Sequence, residues 1–151
     1  MNTMPPDTML NGATMVSPSG GLAEMSARSI SGLIKWRDLI QKALDCAGNT
    51  HNFDDVTAMT LCGRLHAYTL SDCMALMEVI NYPRKRMYHC FIGVGSKAQL
   101  MELLPDVTHA AKQMGCDGLS MNGRLGWARE FARLNDGWTH RLSLITKELE
   151  D

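Results

Sequence analysis

A chain of 151 residues with 45% hydrophobic and 21% charged side chains has the make-up of an ordinary globular protein, large enough to bury a core without staples. Its net charge of −1 lacks the positive excess of a nucleic-acid binder, and no apolar run reaches the ~18 residues a membrane span needs. No basic stretch leading into an apolar run opens the chain, so a secretory signal is not expected. The five cysteines (Cys46, Cys62, Cys73, Cys90 and Cys116) are odd in number, widely spaced and without a C-x-x-C pair. They read as free thiols packed as small hydrophobes in a reducing compartment. Twelve methionines point to adaptable packing surfaces, a feature of interaction proteins.

Residues 1–26 read as an arm. Proline and glycine recur there, and no helical or strand period is present. Met4, Met9, Leu10, Met15 and Val16 punctuate it with apolar points, which suits an extended arm laid into grooves on another subunit. Residues 27–151 read as one domain. Ser29 to Cys46 is expected to be a helix, with Leu33, Trp36, Ile40 and Leu44 on its apolar stripe and Gly48 as its stop. Asn52 can cap a short helix from Phe53 to Cys62, with Asp54 and Asp55 at its positive end.

Three strands follow: Leu65 to Leu70, then Met74 to Tyr82, then Arg86 to Ile92. The first two are joined at Ser71-Asp72-Cys73 and the last two by a hairpin at Pro83-Arg84-Lys85. Gly93-Val94-Gly95 reads as a turn. Ser96 and Gln99 have the capping-box spacing, and open a helix through Leu100, Leu103, Val107, Ala110 and Met114 to Gly115. Pro105 falls inside that helix and should kink or break it. Asp117 to Asn122 alternates as a strand, and Gly123 to Gly126 is a turn. Trp127, Phe131 and Leu134 share one helix face, and Gly137 ends that helix. Leu142, Leu144 and Thr146 alternate in a last expected strand, Trp138 to Leu149. The order gives an α/β (α+β) fold, a mixed sheet flanked by helices.

This order, with a glycine-bearing turn opening the helix after a central strand, resembles the GNAT N-acyltransferase fold over Phe53 to Leu149. The resemblance makes residues 27–151 a single GNAT-like domain. In that family a Q/R-x-x-G-x-G/A turn holds the pyrophosphate of acetyl-CoA on backbone N–H groups at a helix N-terminus. Here Gly93, Val94, Gly95 and Ser96 keep the G-x-G part, but Cys90 stands where the amide or basic residue belongs. Trp127-Ala128-Arg129-Glu130-Phe131 and the later Gly137-Trp138 are similar to the family's late A-x-x-F-Y-x-x-x-G-F pattern. The tyrosine that implies a general acid is replaced by Ala132. Glu78 is a candidate base for an amine, against the commoner reading of a carboxylate facing water.

Tyr82-Pro83-Arg84-Lys85-Arg86, Leu103-Leu104-Pro105, Gly115-Cys116-Asp117 and Gly123 to Trp127 together resemble small GNAT-like proteins of tailed bacteriophages. That resemblance implies a structural virion protein made in the host cytoplasm. It would dock on the tail or neck, where portal and adaptor rings sit, in multiple copies around a ring. The expected partner contacts are Met4, Met9, Leu10, Met15 and Val16 of the arm, with Trp36 and Trp138 on the domain. The vestigial loop Gly93 to Ser96 is expected to be filled, leaving no cofactor and no catalysis. The alternative is an acetyl-CoA-dependent N-acetyltransferase acting on an amine or protein. His51, His66, His89, His109 and His140 are scattered without ligand spacing, so no metal is expected. Membrane and nucleic acid are not expected as partners; Arg84 to Arg86 reads as a solvated basic hairpin.

Overall fold

A computed structural model of the chain describes residues 22–123, 125–142 and 144–150. It divides into two compact units, one up to Ser120 and one from Met121. The first holds three helices, α1 (Leu22–Lys35), α2 (Arg37–Cys46) and α3 (Phe53–Leu61), followed by strands β1 (His66–Leu70), β2 (Cys73–Asn81) and β3 (Arg86–Gly95). Helices α4 (Lys97–Glu102) and α5 (Leu104–Gln113) then lead to β4 (Gly118–Met121), and α6 (Leu125–Leu134) belongs to the second unit.

The sheet order is β1-β2-β3-β4. β1, β2 and β3 form an antiparallel meander. β4 lies parallel to β3. Asp117 N–H donates to the carbonyl of Arg86, and His89 contacts Ser120 three residues further along both strands, so the two advance together. A parallel neighbour requires a crossover, which α4 and α5 supply. The sheet is therefore mixed and flanked by helices, as the element order predicts.

Two apolar layers hold it. Cys73, Ala75 and Met77 of β2, with Tyr68 and Tyr88, pack against Leu103, Val107, Ala110 and Ala111 of the α4–α5 side. The intervening Met74 and Leu76, with Ile92 and Val94, pack against Leu33, Ile40, Leu44, Phe53 and Val56 of α1–α3. β2 serves both layers because successive side chains alternate faces. β3 changes phase part-way. Met77 pairs with Cys90 and Leu76 with Ile92, leaving Phe91 as an extra residue, a β-bulge. The bulge lets Tyr88 and Cys90 join the α4–α5 layer while Ile92 and Val94 join the other.

Local chemistry sets the ends of several elements. Asn52 caps α3 in a reciprocal capping box with Asp55, the acceptor and donor distances being 2.8 and 2.9 Å. Pro105 breaks the predicted long helix into α4 and α5, and sits in the first turn of α5, where its missing N–H costs nothing. At Gly32 an added Cβ would meet Met74 Cε at 3.1 Å, so glycine lets α1 lie close on the sheet.

Five expectations change. The first helix begins at Leu22, so residues 22–26, assigned to the arm, are helical; Leu22-Ala23-Glu24-Met25 are strong helix formers directly after the glycines. That helix is also interrupted at Trp36 (φ −104°, ψ 13°), although the Trp36 and Ile40 N–H groups keep their helical partners. β3 continues to Gly95, three residues past Ile92, because β2 pairs with it throughout. Among the described residues of Trp138 to Leu149 no strand forms. Leu142, Leu144, Ile145 and Leu149 are exposed, and alternation without a neighbouring strand cannot make a sheet. The cysteines are free, but Cys46 and Cys62 are exposed; Cys73 is buried and Cys90 and Cys116 half-buried.

Candidate functional site

The region to test is the junction of β3 and α4, where the resemblance places an acyl-CoA phosphate turn. Gly93, Val94 and Gly95 are not a loop. They are strand residues in register with Ala75, Met74 and Cys73. Gly95 has φ +96°, and a Cβ there would run into the Asp72 carbonyl and Cys73 Cα (2.8 Å to the latter). The glycine is required because the β1–β2 turn presses against it. That turn also takes the next donor: Ser96 N–H donates to the Asp72 carbonyl at 2.7 Å.

Gln99 completes the closure. The Ser96 hydroxyl accepts from Gln99 N–H at 3.3 Å, but the reciprocal half of the predicted capping box does not form. The Gln99 amide instead reaches across to the β1–β2 turn. Its Oε1 accepts from Asp72 N–H at 2.7 Å and its Nε2 donates to Ser71 Oγ at 2.9 Å. Lys35 adds a 2.6 Å bond to the Ser71 carbonyl from α1. A pyrophosphate would need open backbone donors here. The chain's own turn engages one of them, Ser96 N–H.

The late pattern keeps its packing and lacks its acid. Trp127 stacks on Phe131 with centroids 5.8 Å apart, and Phe131 on Trp138 at 4.2 Å. Ala132, at the acid position, is exposed. Of the three tyrosines, Tyr68 and Tyr88 are fully buried in the α4–α5 layer and Tyr82 sits in the exposed hairpin.

Glu78 has a neighbour that the sequence did not announce. It is half-buried and directly opposite His89 across the β2–β3 pair. His89 Nδ1 lies 2.8 Å from Ser120 Oγ, so Glu78, His89 and Ser120 form a polar row across three adjacent strands. Burial holds the His89 imidazole below its usual range, with Glu78 pulling the other way. A neutral imidazole beside a carboxylate can accept a proton.

A second histidine is also paired. His66 Nδ1 lies 2.7 Å from Tyr88 OH, and Tyr88 OH 2.9 Å from Tyr68 OH. Burial raises both phenols and lowers His66. Two buried hydroxyls satisfying each other is a structural solution to polar burial. It is the β1–β2–β3 register that brings Tyr68 and Tyr88 together. No group of three metal-ligating side chains exists among the described residues.

Trp36 is half-buried against the α1–α3 layer, with the Lys35 ammonium 5.1 Å from its ring. Trp138 is half-buried on Phe131. Met4, Met9, Leu10, Met15 and Val16 lie outside the described residues. Arg84, Lys85 and Arg86 are exposed, as a solvated hairpin should be. No helix is long and apolar enough to cross a membrane among the described residues.

No protein-family model matches the chain. No curated protein matches it significantly. Solved structures do. A possible acetyltransferase from Clostridium difficile 630 is similar over 78% of this chain and 93% of its own, with 13% identity and a TM-score of 0.52. Two mutants of the BH1408 protein from Bacillus halodurans are similar as well. One covers 81% of this chain and 95% of its own at 7% identity and TM-score 0.56; the other covers 82% and 94% at 9% and 0.55. At such identities the likeness establishes the fold. The fold is GNAT-like.

Proposed function

We propose that this chain uses a GNAT-like fold for binding, without acyl-CoA chemistry. On this reading it is a structural virion component of a short-tailed bacteriophage, docking at the tail or neck on portal or adaptor rings. The observation that carries the non-catalytic part is the bond from Ser96 N–H to the Asp72 carbonyl, which occupies the junction where a pyrophosphate would be held. The absence of a phenol at Ala132 points the same way. The phage assignment is supported by the sequence resemblance of Tyr82 to Arg86, Leu103 to Pro105 and Gly115 to Asp117. Many copies around a ring let each contact be modest in affinity.

A second reading, an N-acetyltransferase acting on an amine, is favoured by one feature. Glu78 beside a neutral His89 supplies a proton acceptor on the sheet face. Calorimetric titration with acetyl-CoA separates the two. The binding reading expects no heat up to about millimolar ligand, a regime in which even weak association would register. Saturable micromolar binding would favour the enzyme. For the virion part, the protein should be found in purified particles at a fixed copy number per portal ring; its absence from them would remove that assignment.

A further inference from the structure

One face of the sheet changes character along its length. Met74 and Leu76 of β2, with Ile92 and Val94 of β3, pack on the α1–α3 layer and are buried. Strand alternation carries Glu78 onto that same face. His89 stands directly opposite Glu78 in the β2–β3 register, and its Nδ1 lies 2.8 Å from Ser120 Oγ on β4. All three residues are half-buried, so the row sits where the face passes from sealed to accessible.

The row has the chemistry of an activated hydroxyl. A serine hydroxyl is a weak nucleophile until a base within hydrogen-bond reach takes its proton. With Ser120 Oγ–H donating to Nδ1, the imidazole is the neutral ring that carries its proton on Nε2. Burial holds His89 below its ordinary value of 6.5, which leaves Nδ1 free to accept a proton at neutral pH, and Glu78 favours the imidazolium once it forms. The surface beside the row is apolar. Gly118, two positions before Ser120 on β4, has no side chain, and the Met87 thioether packs on it; a Cβ there would meet Met87 Cε at 3.1 Å. A short uncharged acyl chain suits that surface, whereas an anionic one would meet the Glu78 carboxylate.

We propose that Ser120 is a nucleophile toward esters of short, uncharged acyl groups, with His89 as its base and Glu78 as a positioning residue that holds the imidazolium. In the first step a bond forms between Ser120 Oγ and the acyl carbonyl carbon, and the Oγ proton passes to His89 Nδ1. The ester C–O bond breaks, and the departing alcohol takes that proton. In the second step water attacks the carbonyl carbon of acyl-Ser120 and gives a proton to Nδ1. Ser120 Oγ departs, takes the proton back from His89, and the free acid is released. One ester and one water are consumed, and no acyl-CoA is needed. Ester chemistry of this kind adds to the binding reading above and does not depend on it.

The test treats the full chain with p-nitrophenyl acetate and, separately, with a fluorophosphonate probe, and locates each adduct by peptide mass spectrometry. An acetyl or phosphonyl group on Ser120 is expected, with slow release of nitrophenolate. Ser120→Ala should abolish adduct and turnover together. His89→Gln should slow labelling of Ser120 about a hundredfold or more, the range of a lost general base. Glu78→Gln should lower kcat about tenfold or more with KM little changed, because it acts through His89 and not on the ester. Urea midpoints of the three variants separate these losses from unfolding. No adduct on Ser120 in the unmodified protein overturns the proposal, whatever the variants do. Hydrolysis that persists in a folded Ser120→Ala, as from a histidine acting alone, overturns it as well. Labelling at an unchanged rate in His89→Gln does the same, and an unchanged kcat in Glu78→Gln overturns the part given to that residue.

Discussion

At Gly95 a single residue decides whether the β3–α4 junction can exist. Its φ of +96° is accessible to glycine at little cost, and the adjacent Asp72 carbonyl leaves no room for a methyl group. Gly95→Ala is therefore expected to destabilise the protein by about 2–4 kcal/mol, through strain at positive φ plus backbone overlap. Urea unfolding measures it. Gly115→Ala is the control. It shares the positive φ (+73°) but meets nothing within 4 Å, so its loss should be clearly smaller. An equal loss in both would mean that the Asp72 contact is unimportant. The need for glycine at Gly95 was only half legible. Gly-x-Gly announces a turn, whereas here it marks close approach by a hairpin more than twenty positions earlier, which no local pattern reports.

Elements show the same division between local and non-local information. Helix ends were readable because caps are local: Asn52 with Asp55, and Pro105 as a break, both follow from neighbours in the chain. The phase change in β3 was not. Tyr88, Cys90, Ile92 and Val94 are all even positions, so strict alternation puts them on one face, yet the bulge at Phe91 divides them between two layers. The polar row Glu78–His89–Ser120 depends on the register of three strands and was invisible for that reason. The final strand failed in the opposite sense, since its pattern is present and no strand forms there among the described residues. At the scale of α4, Gln99 is the element's anchor to the β1–β2 turn. Gln99→Ala removes two side-chain bonds and should cost about 1–2 kcal/mol in urea unfolding. If acyl-CoA binding then appeared in the variant, the turn would be a removable plug; continued silence would show that the site is lost more deeply.

For the molecule as a whole, the mixed sheet and its flanking helices were legible from element order, while the use of the fold was carried by contacts between distant elements. The two apolar layers also set how the protein responds to acid. His66 and His89 lie on strands of the same sheet, and burial lowers both below the ordinary value of 6.5. A backbone bond involving Gly63 opposes the shift at His66, and Glu78 opposes it at His89. Because the folded pKa values are depressed, the unfolded chain binds more protons as pH falls through 6.5. Stability is then fully present above that value and declines with falling pH until the lowered folded pKa values are passed. Asp106 has the opposite sign. Burial raises its carboxyl above 3.8, so the fold favours its protonated form and gains as pH drops, but in a window below that of the histidines. The net expectation is a falling urea midpoint between about pH 8 and pH 5. His66→Gln with His89→Gln should flatten that slope while shifting the neutral-pH midpoint much less than it shifts the acid one. A midpoint independent of pH in the unmodified protein would mean that the two imidazoles take up protons in the folded state as readily as in the unfolded chain. Their contacts with Tyr88 and Ser120 would then not depend on neutral rings.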